Sequence, residues 1–272
     1  MVYLLVELFT GIAFAGLFWL EIVKNIFDWP GHRDPTFMLV FFPWESFFAF
    51  ASHAVLFSFL MVATVCDLKS REIPLQLTLT GTLVGLVFSA LLPWPIPHQA
   101  AALAGTSELP QGMQPWPFWD SLPLWCGMGG NVQTGLLTGI LGALVGTMLL
   151  RAVAFVFGAG LGKEALGLGD ADLMMMTGAF LGWHLVVIAF FLSVFPALIF
   201  GIILWVVRRD NSLPFGPALS FSVMACCLGW QTISPPLQPI LFSEFILIFA
   251  VIFCGSMLFL MSFILRVIRG NS

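Results

Sequence analysis

From Asp172 to Val207 the chain runs for 36 largely apolar residues. A helix that spans a membrane takes about 20 such residues. The stretch is therefore too long for one span and suits two helices, one of them short, with a turn near Gly182-Trp183-His184. The rest of the chain is of the same kind. Of its 272 residues 60% are hydrophobic and 9% charged, and the mean hydropathy is +1.02. A soluble domain is about 45–50% apolar and about 25% charged. No soluble fold of this size has interior enough for that surface, so the expectation is an integral membrane protein in contact with lipid.

Further apolar runs at 2–22, 46–66, 75–93, 133–157, 217–231 and 243–265 complete the set. The fold class expected is an all-α, polytopic membrane bundle of about seven to eight transmembrane helices, forming one membrane-embedded domain over residues 1–272. The N-terminus lacks the basic stretch of a signal peptide and reads as a retained helix carrying Glu7.

Charge distribution gives an orientation. The segments 94–132 and 231–242 hold no Lys or Arg, whereas eight of the ten basic residues fall in the other connections. These are Lys69, Arg71, Arg151, Lys163, Arg208, Arg209, Arg266 and Arg269, with Lys24 and Arg33 left over. Basic residues concentrate on the cytoplasmic side. The N-terminus is then inside, and the long Pro/Trp-rich loop 94–132 is outside. On that topology Asp67 and Asp170, remote in sequence, stand at the same inner face.

Each acid has a plain reading. Asp67 could be a juxtamembrane charge beside Lys69, Arg71 and Glu72. Asp170 could cap a helix, with Asp172 in its first turn and Gly167 and Gly169 permitting the turn. Two glycines before an acid also let the backbone approach another helix or an extended peptide. A pair is more specific than either acid. Two carboxyls within hydrogen-bonding distance do not both ionise easily, so one keeps a proton while the other can activate water. That is general acid–base hydrolysis without a covalent intermediate. Leu213-Pro214-Phe215-Gly216-Pro217 reads either as a plain loop or as stiff backbone lining such a site, since irregular backbone at membrane depth has to be covered by protein or by a water-filled cavity.

Other chemistries find little support. The net charge of −4 comes without a basic patch, which argues against nucleic acid. None of the five cysteines (Cys66, Cys126, Cys226, Cys227, Cys254) forms a C-x-x-C pair, and they read as small packing residues. His32, His53, His98 and His184 lack partners at metal-ligand spacing, so neither a metal nor a cofactor is expected; His53 reads as a packed or pore-facing helix residue. The Met174-Met175-Met176 run reads as packing or lipid-facing surface. No phosphate-binding, dinucleotide-binding or Ser-hydrolase motif is present.

Taken together, the residues resemble the type IV prepilin peptidase family, the GxGD-type membrane aspartic proteases. The matching stretches are Leu5-Val6-Glu7-Leu8 with Thr10-Gly11, Asp67 with Ile73-Pro74, Gly162 to Asp170, Gly178 to Trp183, and Pro214 to Pro217. The resemblance implies an aspartic endopeptidase of the bacterial inner membrane, with Asp67 and Asp170 as its catalytic pair. It would cut the leader of type IV prepilins or type II secretion pseudopilins at the cytoplasmic face. Family members commonly carry an N-terminal zinc-binding segment that accompanies N-methylation; this chain lacks it, so methylation by this chain is not expected. The family also has Lys two residues after the GxGD acid, where this chain has Asp172. Two readings stay open beside the protease: a non-catalytic family member, and a membrane transporter or channel.

Overall fold

The computed structural model describes residues 2–26, 44–91, 132–161, 167–208 and 215–230, with short pieces beyond. Those residues are helical, and none of them forms a strand. The elements are α1 (Val2–Phe18), which runs into a π-helical turn at Trp19–Val23, α2 (Trp44–Ser70), α3 (Leu75–Leu91), α4 (Val132–Leu161), α5 (Leu168–Arg208) and α6 (Gly216–Leu228). Three stretches are long and apolar enough to cross a membrane: Phe47–Ser70, Gly135–Val156 and Leu168–Ile202. Shorter apolar helices lie at Thr10–Val23, Leu75–Leu91 and Gly216–Leu228. The described residues thus carry three full-length candidates where seven to eight spans are expected. The expected helix at 243–265 falls almost wholly, and the loop at 94–132 all but its last residue, outside the described residues.

The long apolar run divides where the sequence suggests. Gly182 interrupts α5 with φ 76° and ψ 175°. That backbone region is essentially reserved for glycine, because a Cβ would collide with the adjoining peptide. Helical geometry resumes at once and continues through Pro196.

The break coincides with the tightest helix crossing. α4 and α5 pack face to face along most of their lengths. A Cβ on Gly142 would overlap the Gly178 carbonyl and stand 2.8 Å from the Gly182 Cα, and a Cβ on Gly178 would overlap the Gly142 carbonyl. Gly146 meets the Met174 carbonyl in the same way, and Gly135 the Ser89 carbonyl of α3. Such backbone-to-backbone approach is how helices associate in lipid, where burying apolar side chains gains nothing over leaving them in acyl chains.

The interior is built from Leu56, Leu60, Leu173, Met174, Met176, Leu181, Leu185, Leu219 and Val223. Met174 and Met176 are fully buried, so that run is core. The outside is apolar as well: Leu83, Val87, Met148, Phe155 and Phe195 are each at least 60% exposed. Water would not tolerate that exterior on so many helices, whereas lipid covers it.

Candidate active site

Asp67 lies one turn from the end of α2. The helix stops there because Arg71 adopts a left-handed conformation, φ 58°, while its N–H still donates to the Asp67 carbonyl at 2.9 Å. The Ser70 hydroxyl donates to the carbonyls of Cys66 and Glu72 at 2.8 and 3.2 Å, closing the turn. Pro74 precedes α3, and its carbonyl accepts from Leu77 and Thr78. A proline at a helix start loses no hydrogen bond, since that N–H has no helical partner.

The Asp67 side chain is buried, 6% exposed, and its Oδ2 accepts the Gly216 N–H at 3.0 Å. That N–H belongs to the first residue of α6, whose opening donors have no partner within the helix. The contact explains why residue 216 carries no side chain. A Cβ there would stand 2.7 Å from Asp67 Oδ2 and 3.2 Å from its Cγ. Phe215 flanks this junction, packed on the core, and Pro217 occupies the first turn of α6. Pro214 lies outside the described residues.

Asp170 reaches the same end of the bundle from α5. The helix starts at Leu168, so Asp170 sits in its first turn, with its N–H donating to the Gly167 carbonyl at 3.3 Å. It is not the cap, as one plain reading had it; a carboxylate in the first turn still faces the positive end of the helix dipole. Asp170 is half-buried at the end of the bundle where Asp67 also lies.

The two glycines differ. A Cβ on Gly169 would come within 3.2 Å of Ile73 Cβ and 3.4 Å of Ile73 N, so the start of α5 presses on the α2–α3 connection. Gly167 is exposed, and a Cβ there would have Asp170 Oδ2 as its nearest neighbour, at 3.8 Å. Asp172 faces α4, with Oδ1 at 4.0 Å from an Arg151 guanidinium nitrogen. Arg151 is exposed on that side, so the pair is a loose one. The acids of α2 and α5 thus share one end of the bundle with the start of α6, Gly216 lying against Asp67 and Gly167 near Asp170.

What spacing does not show is a second polar group farther back along α2. Glu21 and His53 are both buried and hydrogen-bonded at 2.8 Å, with Cys227 beside the same imidazole. Cys227 is buried in the core, as the small packing residue the sequence suggests. The partners lie far apart in sequence and come from three elements, so no local pattern announces them.

A helical bundle with three stretches long and apolar enough to cross a membrane defines a class, the polytopic membrane protein. The chain belongs to the type IV leader peptidase family, whose sequence profile matches residues 54–108 and 118–202. Curated relatives carry the name prepilin leader peptidase/N-methyltransferase. The one from Pectobacterium carotovorum is 28% identical over 223 residues, 80% of this chain and 57% of the relative. The one from Aeromonas salmonicida is 35% identical over 119 residues, 40% of this chain and 38% of the relative. The one from Pseudomonas aeruginosa is 33% identical over 113 residues, 39% of this chain and 37% of the relative. The chain therefore spans about two fifths to three fifths of the length of these relatives. No solved structure gives a significant match.

Proposed function

We propose that the chain is an aspartic endopeptidase of the bacterial inner membrane that removes the leader of type IV prepilins or type II secretion pseudopilins, with Asp67 and Asp170 as its acid–base pair. The observation that carries the reading is the juxtaposition of these two acids. They come from helices remote along the chain, they lie at the same end of the bundle, and one of them is held by the α6 N-terminus.

The chemistry needs no other group. One carboxylate takes a proton from water, and the water oxygen bonds to the scissile carbonyl carbon. The partner carboxyl gives its proton to the carbonyl oxygen. The tetrahedral adduct then breaks its C–N bond as one of its hydroxyls returns a proton to the ionised partner, and the leaving amine takes up the proton that the first carboxyl had drawn from water. The Gly216 N–H positions Asp67 in this scheme. Gly169 lets α5 approach the α2–α3 connection, Gly167 leaves the Asp170 side open, and Phe215 and Pro217 shape the wall. Asp172, paired with Arg151, belongs to the rim. The distribution of basic residues supports a site that faces the cytoplasm. The acids stand at a helix end rather than at mid-span, which weighs against a transport pathway.

The test is processing of a prepilin co-expressed with Asp67→Asn or Asp170→Asn. Each variant is expected to accumulate in the membrane and leave the prepilin uncut on gels. Cleavage by either accumulated variant would remove that residue from the reaction.

A further inference from the structure

His53 lies fourteen residues before Asp67 on α2. At 1.5 Å per residue that is about 21 Å, roughly two thirds of the 30 Å or so that a span covers. The cluster of Glu21, His53 and Cys227 therefore stands well away from the two acids and takes no part in their chemistry. Its members come from the end of α1, from α2 and from α6.

Glu21 and His53 are each 2% exposed, and Cys227 is fully buried. Acidic groups at such depth are costly and persist where a partner holds them. Here the partner is His53 Nδ1, at 2.8 Å from Glu21 Oε1. The other carboxylate oxygen, Oε2, is buried with no hydrogen-bond partner among the described residues. The Cys227 thiol lies beside the imidazole, which is near-parallel to the Phe57 ring, 6.5 Å between centroids at 20°. Among the described residues no group of His, Cys, Asp and Glu is placed to hold a metal ion.

A backbone distortion delivers Glu21. The Lys24 N–H reaches the Trp19 carbonyl at 2.8 Å, five residues back, and Asn25 ends the turn at φ 50°. The wide turn buries Glu21 and Ile22 and leaves Trp19 and Val23 exposed. Such π turns are rare and gather at functional positions. The rest of α1 is thinly held among the described residues. A Cβ on Gly11 or Gly16 would meet nothing within 4 Å, and Leu8 and Ile12 are 57% and 62% exposed. Among its described side chains, Phe14, Leu17 and Ile22 are the ones packed inward, with an edge-on Phe18–Phe50 pair beside them.

We infer that Glu21, His53 and Cys227 form a latch that docks α1 onto the α2–α6 pair, and that α1 is an arm released when the Glu21–His53 contact is broken. The inference does not rest on the peptidase reading.

Cys227 itself is the reporter. In the full-length chain in lipid nanodiscs, with the other four cysteines replaced by alanine, Cys227 is expected to resist N-ethylmaleimide. Glu21→Gln is expected to speed its labelling about tenfold or more, through a more populated local opening. Exchanging the two groups, Glu21→His with His53→Glu, is expected to restore protection. Equal labelling of Cys227 in the parent and in Glu21→Gln would overturn the latch, as would an exchange variant labelled as fast as Glu21→Gln. If Glu21→Gln does not accumulate, the exchange variant decides. Its accumulation with Cys227 protected supports the latch, and its failure to accumulate overturns it.

Discussion

At the scale of single residues, the contact between Asp67 and Gly216 is the most demanding feature of the site. Any side chain at 216 displaces the carboxylate, because a Cβ would stand 2.7 Å from Oδ2. Misplacement of a catalytic group by about 1 Å costs on the order of a hundredfold in rate. Gly216→Ala is therefore expected to lower kcat for prepilin cleavage by about 100-fold while the protein still accumulates. Gly167→Ala is expected to stay close to the parent rate, since a Cβ there would have its nearest neighbour at an ordinary 3.8 Å. Both are read from initial rates on a purified prepilin. The two acids and the glycines before Asp170 were legible in the sequence, as sparse charge in an apolar chain. The bond from Gly216 was not, because it joins residues at opposite ends of the site-forming region. Glu21, His53 and Cys227 were invisible for the same reason. Each alone looks like an ordinary helix residue, and only the packing of three elements makes a cluster.

Among the elements, helix existence was read more surely than helix length. Apolar runs at 46–66 and 133–157 became helices ending at Ser70 and Leu161, and the helix expected from Asp172 began at Leu168. Counting apolar residues marks the part of a helix that can sit in lipid. The hydrogen-bonded ladder continues beyond that part and takes in Asp67 at the end of α2 and Asp170 at the start of α5. The break at Gly182 was legible because the run is too long for one span. The crossing of Gly142 with Gly178 was not, since a glycine at a contact reads like any other glycine. Gly142→Ala is expected to overpack that crossing at a cost of about 1–3 kcal/mol. The midpoint of thermal unfolding in detergent should fall by several degrees. Gly11→Ala, where a Cβ meets nothing within 4 Å, should leave it unchanged or raise it slightly.

For the whole molecule, the family, the all-helical build and the apolar exterior agree with one another. Orientation in the membrane is a separate matter, and charge bias alone argues it. With Cys126 kept as the only cysteine, an impermeant maleimide is expected to label intact spheroplasts, because 94–132 is proposed to face outward. A Lys69→Cys variant without other cysteines should be labelled only after permeabilisation. The reverse pattern would place the Asp67 end of the bundle on the outer side and exclude cleavage at the cytoplasmic face. From its residues alone the chain had to be helical and lipid-covered, because apolar runs of span length leave the backbone no partners but its own. The order of its motifs also pointed to a family. Which residues meet was decided only by tertiary packing. The approach of α2, α5 and α6, and of α1 to His53, depends on glycine contacts and single hydrogen bonds between distant segments, and no local pattern encodes those.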